Sequence, residues 1–295
     1  MRSFQELTVE SNSWIEESLT KVFDEELKED ITVKASYYSL LAGGKRIRPC
    51  LMYYSAKMLG VDTQNVLPFA VSLEMIHTYS LIHDDLPSMD NDDLRRGNPT
   101  CHKVYGEGIA LLAGDNLLNR SFELIFQEVV KDNSLALAGS TMARLSGIHG
   151  MIGGQSIDLA SEGTDIPVET LYELQRKKTG ALLEAAITMP CYVGGKTGEE
   201  LELLKKLSEH VGLAFQIMDD ILDVESNSEE LGKSTGKDER DNKSTFVSIF
   251  GLEGAHAKLN SEVEGCSKIL GRLEELGYNT EELTTIVKFL SERTF

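Results

Sequence analysis

Residues 66–90 read VLPFAVSLEMIHTYSLIHDDLPSMD, and between Val66 and His83 apolar side chains fall on nearly every helical face. A helix without a polar stripe has to be buried on all sides, so this one is expected at the centre of a helical core, lining a cavity. It runs straight into Asp84 and Asp85, with Asp90 six positions after Asp84. Acids at a helix C-terminus oppose its dipole and need a compensating cation.

Working outward, apolar residues recur at three- and four-residue spacing in Tyr37 to Leu41, Leu111 to Phe126, Leu171 to Ile187 and Leu201 to Leu222. Strand-like alternation is scarce. Breakers fall at Gly43-Gly44, Pro87, Gly97-Asn98-Pro99, Gly153-Gly154, Gly163 to Pro167, Gly194-Gly195 and Gly232 to Gly236, as between helices of a bundle. The expectation is an all-α fold. Val211 to Leu222 is a second helix apolar on most faces, and it too ends in acids: Asp219, Asp220 and Asp223. No Pro-, Ser- or Gly-rich linker divides the chain, so residues 1–295 read as a single domain whose function joins its two halves.

The formal net charge of −19 over 295 residues argues against nucleic acid or an anionic membrane as main partner, since a negative field repels both. Cys50, Cys101, Cys191 and Cys266 are widely separated and form no CxxC pair, so neither zinc nor a disulfide scaffold is indicated. The N-terminal stretch is polar and acidic where a secretion signal would be basic and then apolar, and no apolar run reaches membrane-spanning length. A soluble, cytoplasmic protein is expected.

On a helix, Asp219 and Asp223 share a face, with Asp220 one residue's rotation away. Asp84 and Asp90 would lie on nearly opposite sides of an unbroken helix, but Pro87 should end or distort it near Leu86 and let Asp90 fold back beside Asp84. Either cluster alone could be a solvated acidic segment; both following strongly apolar helices favours paired cation sites. Oxygen-only ligands suit magnesium.

Against this acidic background Lys45, Arg46 and Arg48 stand out, between Gly43-Gly44 and Pro49. Pro49 suits the first position of a helix, which would place two or three cations at a helix N-terminus, where phosphate binds well. Arg95 and Arg96 follow the first Asp cluster directly. Lys177, Lys178, Thr179, Lys233, Lys243, Gln216 and His77 are further candidates, although a lone lysine is usually only solvated. No Gly-x-x-x-x-Gly-Lys-[Ser/Thr] loop is present, against an ordinary P-loop nucleotide enzyme. Carboxylate-held metals with Lys and Arg around them suit a diphosphate, and the apolar helices suit a hydrocarbon attached to it.

These motifs, taken in order, closely resemble the trans-isoprenyl diphosphate synthases, short-chain bacterial farnesyl diphosphate synthases in particular. Gly43 to Pro49 is similar to that family's GGKRxRP segment, His77 to Gly97 to its first aspartate-rich motif, and Phe215 to Asp223 to its second. Gly153-Gly154-Gln155 with Asp158, Lys178-Thr179, and Gly232-Lys233 with Gly236-Lys237-Asp238 also fall in the family's order, so the resemblance covers nearly the whole chain.

The resemblance implies about ten core helices around a central cavity, a homodimer, and three Mg2+ ions bound with diphosphate. The metal set would be Asp84, Asp85, Asp90, Asp219 and Asp223: Asp84 and Asp90 on two ions, Asp219 on the third, and Asp85, Asp220 and Asp223 acting through water or orientation. Arg95, Lys178 and Lys233 would hold the allylic diphosphate. Lys45, Arg48, His77 and Arg96 would hold isopentenyl diphosphate. Thr179 and Gln216 would stabilise a carbocation, Lys243 would add a substrate contact, and Gly232 to Gly236 would form a closing segment. Tyr79, with its neighbour Ser80, would set product length: Tyr79 lies about 7.5 Å below Asp84 along the helix, and in the resembled family an aromatic there goes with a C15 product. The alternatives are a geranylgeranyl diphosphate synthase and a catalytically silent partner subunit, which would be expected to have lost metal ligands. Arg293 is the one arginine of the final three residues, and no role is expected for it.

Overall fold

The computed structural model describes residues 2–225 and 244–291, and these are almost entirely helical. In chain order the helices are α1 Phe4–Leu19, α2 Ile31–Leu40, α3 Ile47–Leu59, α4 Thr63–Asp84, α5 Cys101–Tyr105, α6 Glu107–Lys131, α7 Ala136–Ser146 and α8 Met151–Ser161. They continue with α9 Val168–Gln175, a π-helical turn at Arg176–Gly180, then α10 Ala181–Val193, α11 Glu199–Glu225, α12 Phe246–Glu275 and α13 Glu281–Ser291. Local chemistry sets several starts. Ser3 and Glu6 form a reciprocal capping box on α1, and Asp30 and Asp62 cap α2 and α4 by accepting from backbone N–H groups.

The all-round apolar helix is where its sequence requires. Phe69, Leu73, Met75 and Ile76 of α4 are fully buried, and α4 packs against α3, α6 and α10. Helix α10 also lies against α11, which in turn packs along α12. One apolar cluster extends from Leu7 to Leu290, and a smaller one joins Leu171, Ile217, Ile221, Phe246 and Leu259 beside the second aspartate cluster.

Among the described residues a single two-residue ladder interrupts the helices: Leu94 pairs with Pro99 and Arg95 with Asn98. Its turn residues, Arg96 (φ 55°) and Gly97 (φ 76°), both have positive φ. A two-residue hairpin loop of type I′ demands this at both central positions. The turn therefore holds Arg96 in a left-handed conformation that a side chain rarely adopts.

Two sequence expectations change. Gly153 and Gly154 do not separate helices but sit inside α8. They are needed for close approach, since a Cβ on Gly154 would lie 2.2 Å from the backbone nitrogen of Lys178. Pro49 is the third residue of α3 rather than its first, because the left-handed Arg46 (φ 46°) starts the helix at Ile47. A proline in the first turn removes an N–H that has no helical partner anyway.

Among the described residues no helix is long and apolar enough to cross a membrane. All four cysteines are buried free thiols.

Gly154→Ala is expected to destabilise the fold by about 3 kcal/mol, the upper range for overpacking, because the obstacle is backbone and cannot rotate away. Urea unfolding followed by circular dichroism measures this; a midpoint equal to the parent's would show that α8 can shift at no cost.

Candidate active site

Helix α4 ends at Asp84, with Asp85 as its C-cap. The chain then turns at Pro87, and the Asp90 N–H donates back to the Asp84 carbonyl at 2.8 Å while Asn91, at φ 50°, donates to Leu86 at 3.1 Å. The proline thus brings Asp90 beside Asp84, as its position predicts. Loss of surrounding water pushes the Asp84 carboxyl up to about 6; Lys178 pulls it down and Asp90 pushes it further up.

Asp85 faces the other way. Only 3 % exposed, it accepts from Arg95 Nε at 3.0 Å and, more closely, from an Arg95 terminal nitrogen, which also reaches Asp92 at 3.4 Å. Burial raises the Asp85 carboxyl and Arg95 opposes that. Asp85 therefore orients Arg95 by a charge-assisted fork. Asp92 had no distinguishing signal in the sequence.

On the basic side, an Arg48 guanidinium nitrogen lies 3.3 Å from His77 Nε2. Arginine has only donors, so Nε2 must accept and the ring is neutral with its proton on Nδ1. Burial drives the His77 pKa well below its ordinary value, and the field of Arg48, Arg96, Arg95 and Arg46 adds to this. Burial likewise lowers Arg48, while Glu74 and Asp219 raise it, so Arg48 feels carboxylates from both halves of the chain. Arg96 donates to the Gly43 carbonyl and fills the space a side chain on Gly44 would need. The Lys45 ammonium stands 5.4 Å from the Phe289 ring centroid of α13.

Arg46 departs from the phosphate cluster expected of it. Its guanidinium is buried against Glu74 of α4 at 2.7 Å. Glu74 was missed in the sequence, where its signal was that of the lone charged residue within the mostly apolar run of 66–76.

In the second half, the π-helical turn presents Lys178, which donates to Asp158 at 2.5 Å, and Thr179, which donates to Gln216 Oε1 at 3.0 Å. Gln216 Nε2 donates to Asp220 Oδ1 at 2.9 Å, and the Phe246 N–H donates to Asp220 Oδ2 at 2.7 Å. Asp220 is buried and anchors the start of α12, whereas Asp219 and Asp223 are half-exposed on the same helix. Lys177 is drawn off to Glu173. Lys233, Lys243, Arg293 and the proposed closing segment Gly232 to Gly236 lie outside the described residues.

Tyr79 is buried, edge-on to His83 with centroids 5.6 Å apart. His83 lies 3.1 Å from the Leu111 carbonyl and presses on Gly114 of α6. Burial pushes the Tyr79 hydroxyl up to about 12, and among the described residues that hydroxyl has no hydrogen-bond partner. Ser80 turns its own hydroxyl back to the His77 carbonyl at 2.9 Å.

The acids offer the oxygen donors that a hard cation takes. The backbone turn brings Asp84 and Asp90 together, and burial, with Asp90 adding to it, raises the Asp84 carboxyl. Among the described residues no three acidic, histidine or cysteine side chains converge as a ready-made cage; magnesium in general is held by one or two carboxylates plus water and phosphate.

Residues 29–275 match the polyprenyl synthetase family model. This chain belongs to that family. A farnesyl diphosphate synthase of Geobacillus stearothermophilus is 45 % identical over 240 residues, 80 % of this chain and 81 % of the relative. The heterodimeric geranylgeranyl pyrophosphate synthase large subunit 1 of Arabidopsis thaliana is 43 % identical over 88 % of this chain and 71 % of its own length. Among solved structures, an FPP/GFPP synthase from Zymomonas mobilis superposes with a TM-score of 0.85 at 32 % identity, covering 97 % of this chain and 98 % of that one. The polyprenyl synthetase assignment agrees with the motif order and the all-α fold.

Asp85→Ala would leave the Arg95 guanidinium without its main partner. A loss of about 1–3 kcal/mol is expected, because Arg95 is only partly buried and keeps Asp92 within reach. Chemical denaturation tests it, and a loss below about 1 kcal/mol, as for an exposed ion pair, would contradict the orienting role.

Proposed function

We propose that this protein joins isopentenyl diphosphate head to tail with dimethylallyl or geranyl diphosphate to give farnesyl diphosphate. The observation that carries this reading is the convergence at the end of α4: Asp84, Asp90 and Lys178 on one side, the Arg48–His77–Arg96 group beside them, and buried Tyr79 one turn below.

In this reading Asp84, Asp90 and Asp219 would hold magnesium with the allylic diphosphate, and Asp223 would assist them. Bound magnesium would neutralise that diphosphate and make it a better leaving group. Arg95, fixed by Asp85, and Lys178, steadied by Asp158, grip the same group from the protein side. Neutral His77 with Arg48, Arg96 and Lys45 holds isopentenyl diphosphate. The allylic C–O bond breaks with its electron pair leaving on the diphosphate, and the isopentenyl double bond attacks the resulting carbocation. Gln216 is fixed amide-nitrogen-first on Asp220, so its oxygen faces Thr179; the Thr179 proton is committed to that oxygen. Lone pairs on both oxygens are then available to the cation. The released diphosphate takes the final proton.

Tyr79 supports a C15 product. A bulky buried ring held edge-on by His83 leaves little room for further growth. Geranylgeranyl diphosphate synthesis is the second reading, favoured by the Arabidopsis thaliana relative. We further propose a single domain, for which the cluster spanning Leu7 to Leu290 speaks, and a cytoplasmic setting, for which the free buried thiols speak. A homodimer accounts for the apolar surface on α6 and α7, where Leu111, Leu112, Phe126, Val130 and Leu137 are exposed.

Incubation with magnesium, isopentenyl diphosphate and geranyl diphosphate should yield farnesyl diphosphate by chromatography of the dephosphorylated alcohols. Tyr79→Ala should shift the product to C20 or longer, and an unchanged C15 product would remove Tyr79 from that role. Phe126→Asp should increase the monomer fraction in sedimentation velocity; an unaltered profile would place any dimer contact elsewhere.

A further inference from the structure

We infer that Glu74, remote from the reacting atoms, is a positioning residue that holds the isopentenyl diphosphate pocket in shape through Arg46. Arg46 is the left-handed residue on which α3 begins. Its guanidinium donates to Glu74 Oε1 at 2.7 Å and to the Leu40 carbonyl at 2.6 Å, and reaches Glu16 of α1 at 3.4 Å. The Arg46 and Glu74 side chains are 1 % and 2 % exposed. Leu40 ends α2 and Arg46 precedes α3, so this one contact fastens both ends of the Leu41–Lys45 loop to α4. From the other side, Arg96 donates to the Gly43 carbonyl of the same loop.

Glu74 and His77 are three residues apart on α4 and share a face. Arg46 and Arg48 are two apart at the start of α3. The pairs Glu74–Arg46 and His77–Arg48 therefore form two adjacent rungs between these helices, the first inside the core and the second at the cavity. Glu74 also acts at a distance, since its charge favours the charged forms of both Arg48 and Arg96. Burial of an ion pair brings little net stability over a well-packed apolar pair. Geometry and field are what a hydrophobic replacement would not reproduce.

This inference rests on the reading that Lys45, Arg48, His77 and Arg96 bind isopentenyl diphosphate. The test compares Glu74→Gln, the double variant Arg46→Met with Glu74→Leu, and Arg48→Ala. Melting temperature and Michaelis constants for isopentenyl and geranyl diphosphates are measured for each. Glu74→Gln should raise the isopentenyl diphosphate KM about ten-fold or more, roughly the scale of one weakened charge contact, with the geranyl diphosphate KM within about two-fold. The double variant should melt near the parent yet keep the raised isopentenyl diphosphate KM. A double variant with both melting point and KM restored would reduce the pair to packing and overturn the inference, as would an equal rise in both Michaelis constants. If Arg48→Ala leaves the isopentenyl diphosphate KM unchanged, the pocket assignment itself fails; if it raises that KM while the double variant does not, only the role of Glu74 fails. Glu74→Asp, with a shortened reach, gives the same readout should another variant not fold, and a parental KM there counts against the inference.

Discussion

Four arginines, Arg46, Arg48, Arg95 and Arg96, crowd the region where α3, α4 and the short hairpin meet, and their mutual repulsion out of water has to be offset. The protein does this unevenly. Arg46 and Arg95 each receive a carboxylate of their own, Glu74 and Asp85, at hydrogen-bond distance. Arg48 and Arg96 are given softer partners, a neutral imidazole and a backbone carbonyl. Arg46 is thereby made part of the framework and Arg95 is held in one orientation, while in the proposed reading Arg48 and Arg96 keep more of their charge for a bound anion. The glycine loop before α3 and the hairpin after the aspartates are tied together by these contacts, Arg46 holding the loop to α4 and Arg96 reaching the Gly43 carbonyl.

The aspartates divide in the same manner. In each cluster one acid turns inward: Asp85 takes Arg95, and Asp220 takes Gln216 and the first N–H of α12. Asp84, Asp90, Asp219 and Asp223 stay half-exposed. Consecutive helical residues differ by about 100° in direction, so a doublet on a helix naturally turns one carboxylate inward and leaves the other toward the surface. This gives a physical account of why paired acids recur at both sites.

Much of this was legible in the sequence because it rests on periodicity and on proline. The buried character of Val66 to His83 and the return of Asp90 to Asp84 needed only helical geometry and the missing N–H of Pro87. What could not be read was long-range pairing. Nothing local distinguishes Arg46 from Arg48, and only the fold shows that one is buried against Glu74 and the other lies half-buried beside His77. Gly153-Gly154 misled for the same reason: glycine marks a turn or a close approach, and the neighbour approached, Lys178, is distant in the chain. The left-handed Arg96 was likewise hidden until the hairpin register was known.

The unpartnered hydroxyl of Tyr79 bears on how such an enzyme could diversify. A residue woven into a polar network is hard to exchange, because its former partners are stranded when it goes. Tyr79 strands nothing. Its ring rests against His83 and its hydroxyl engages no described group, so a substitution there costs packing but leaves no described hydrogen-bond partner stranded. Under the proposed reading, a change at Tyr79 alters the space beneath the diphosphate site without stranding a described polar partner, so product size and diphosphate chemistry rest on separate residues.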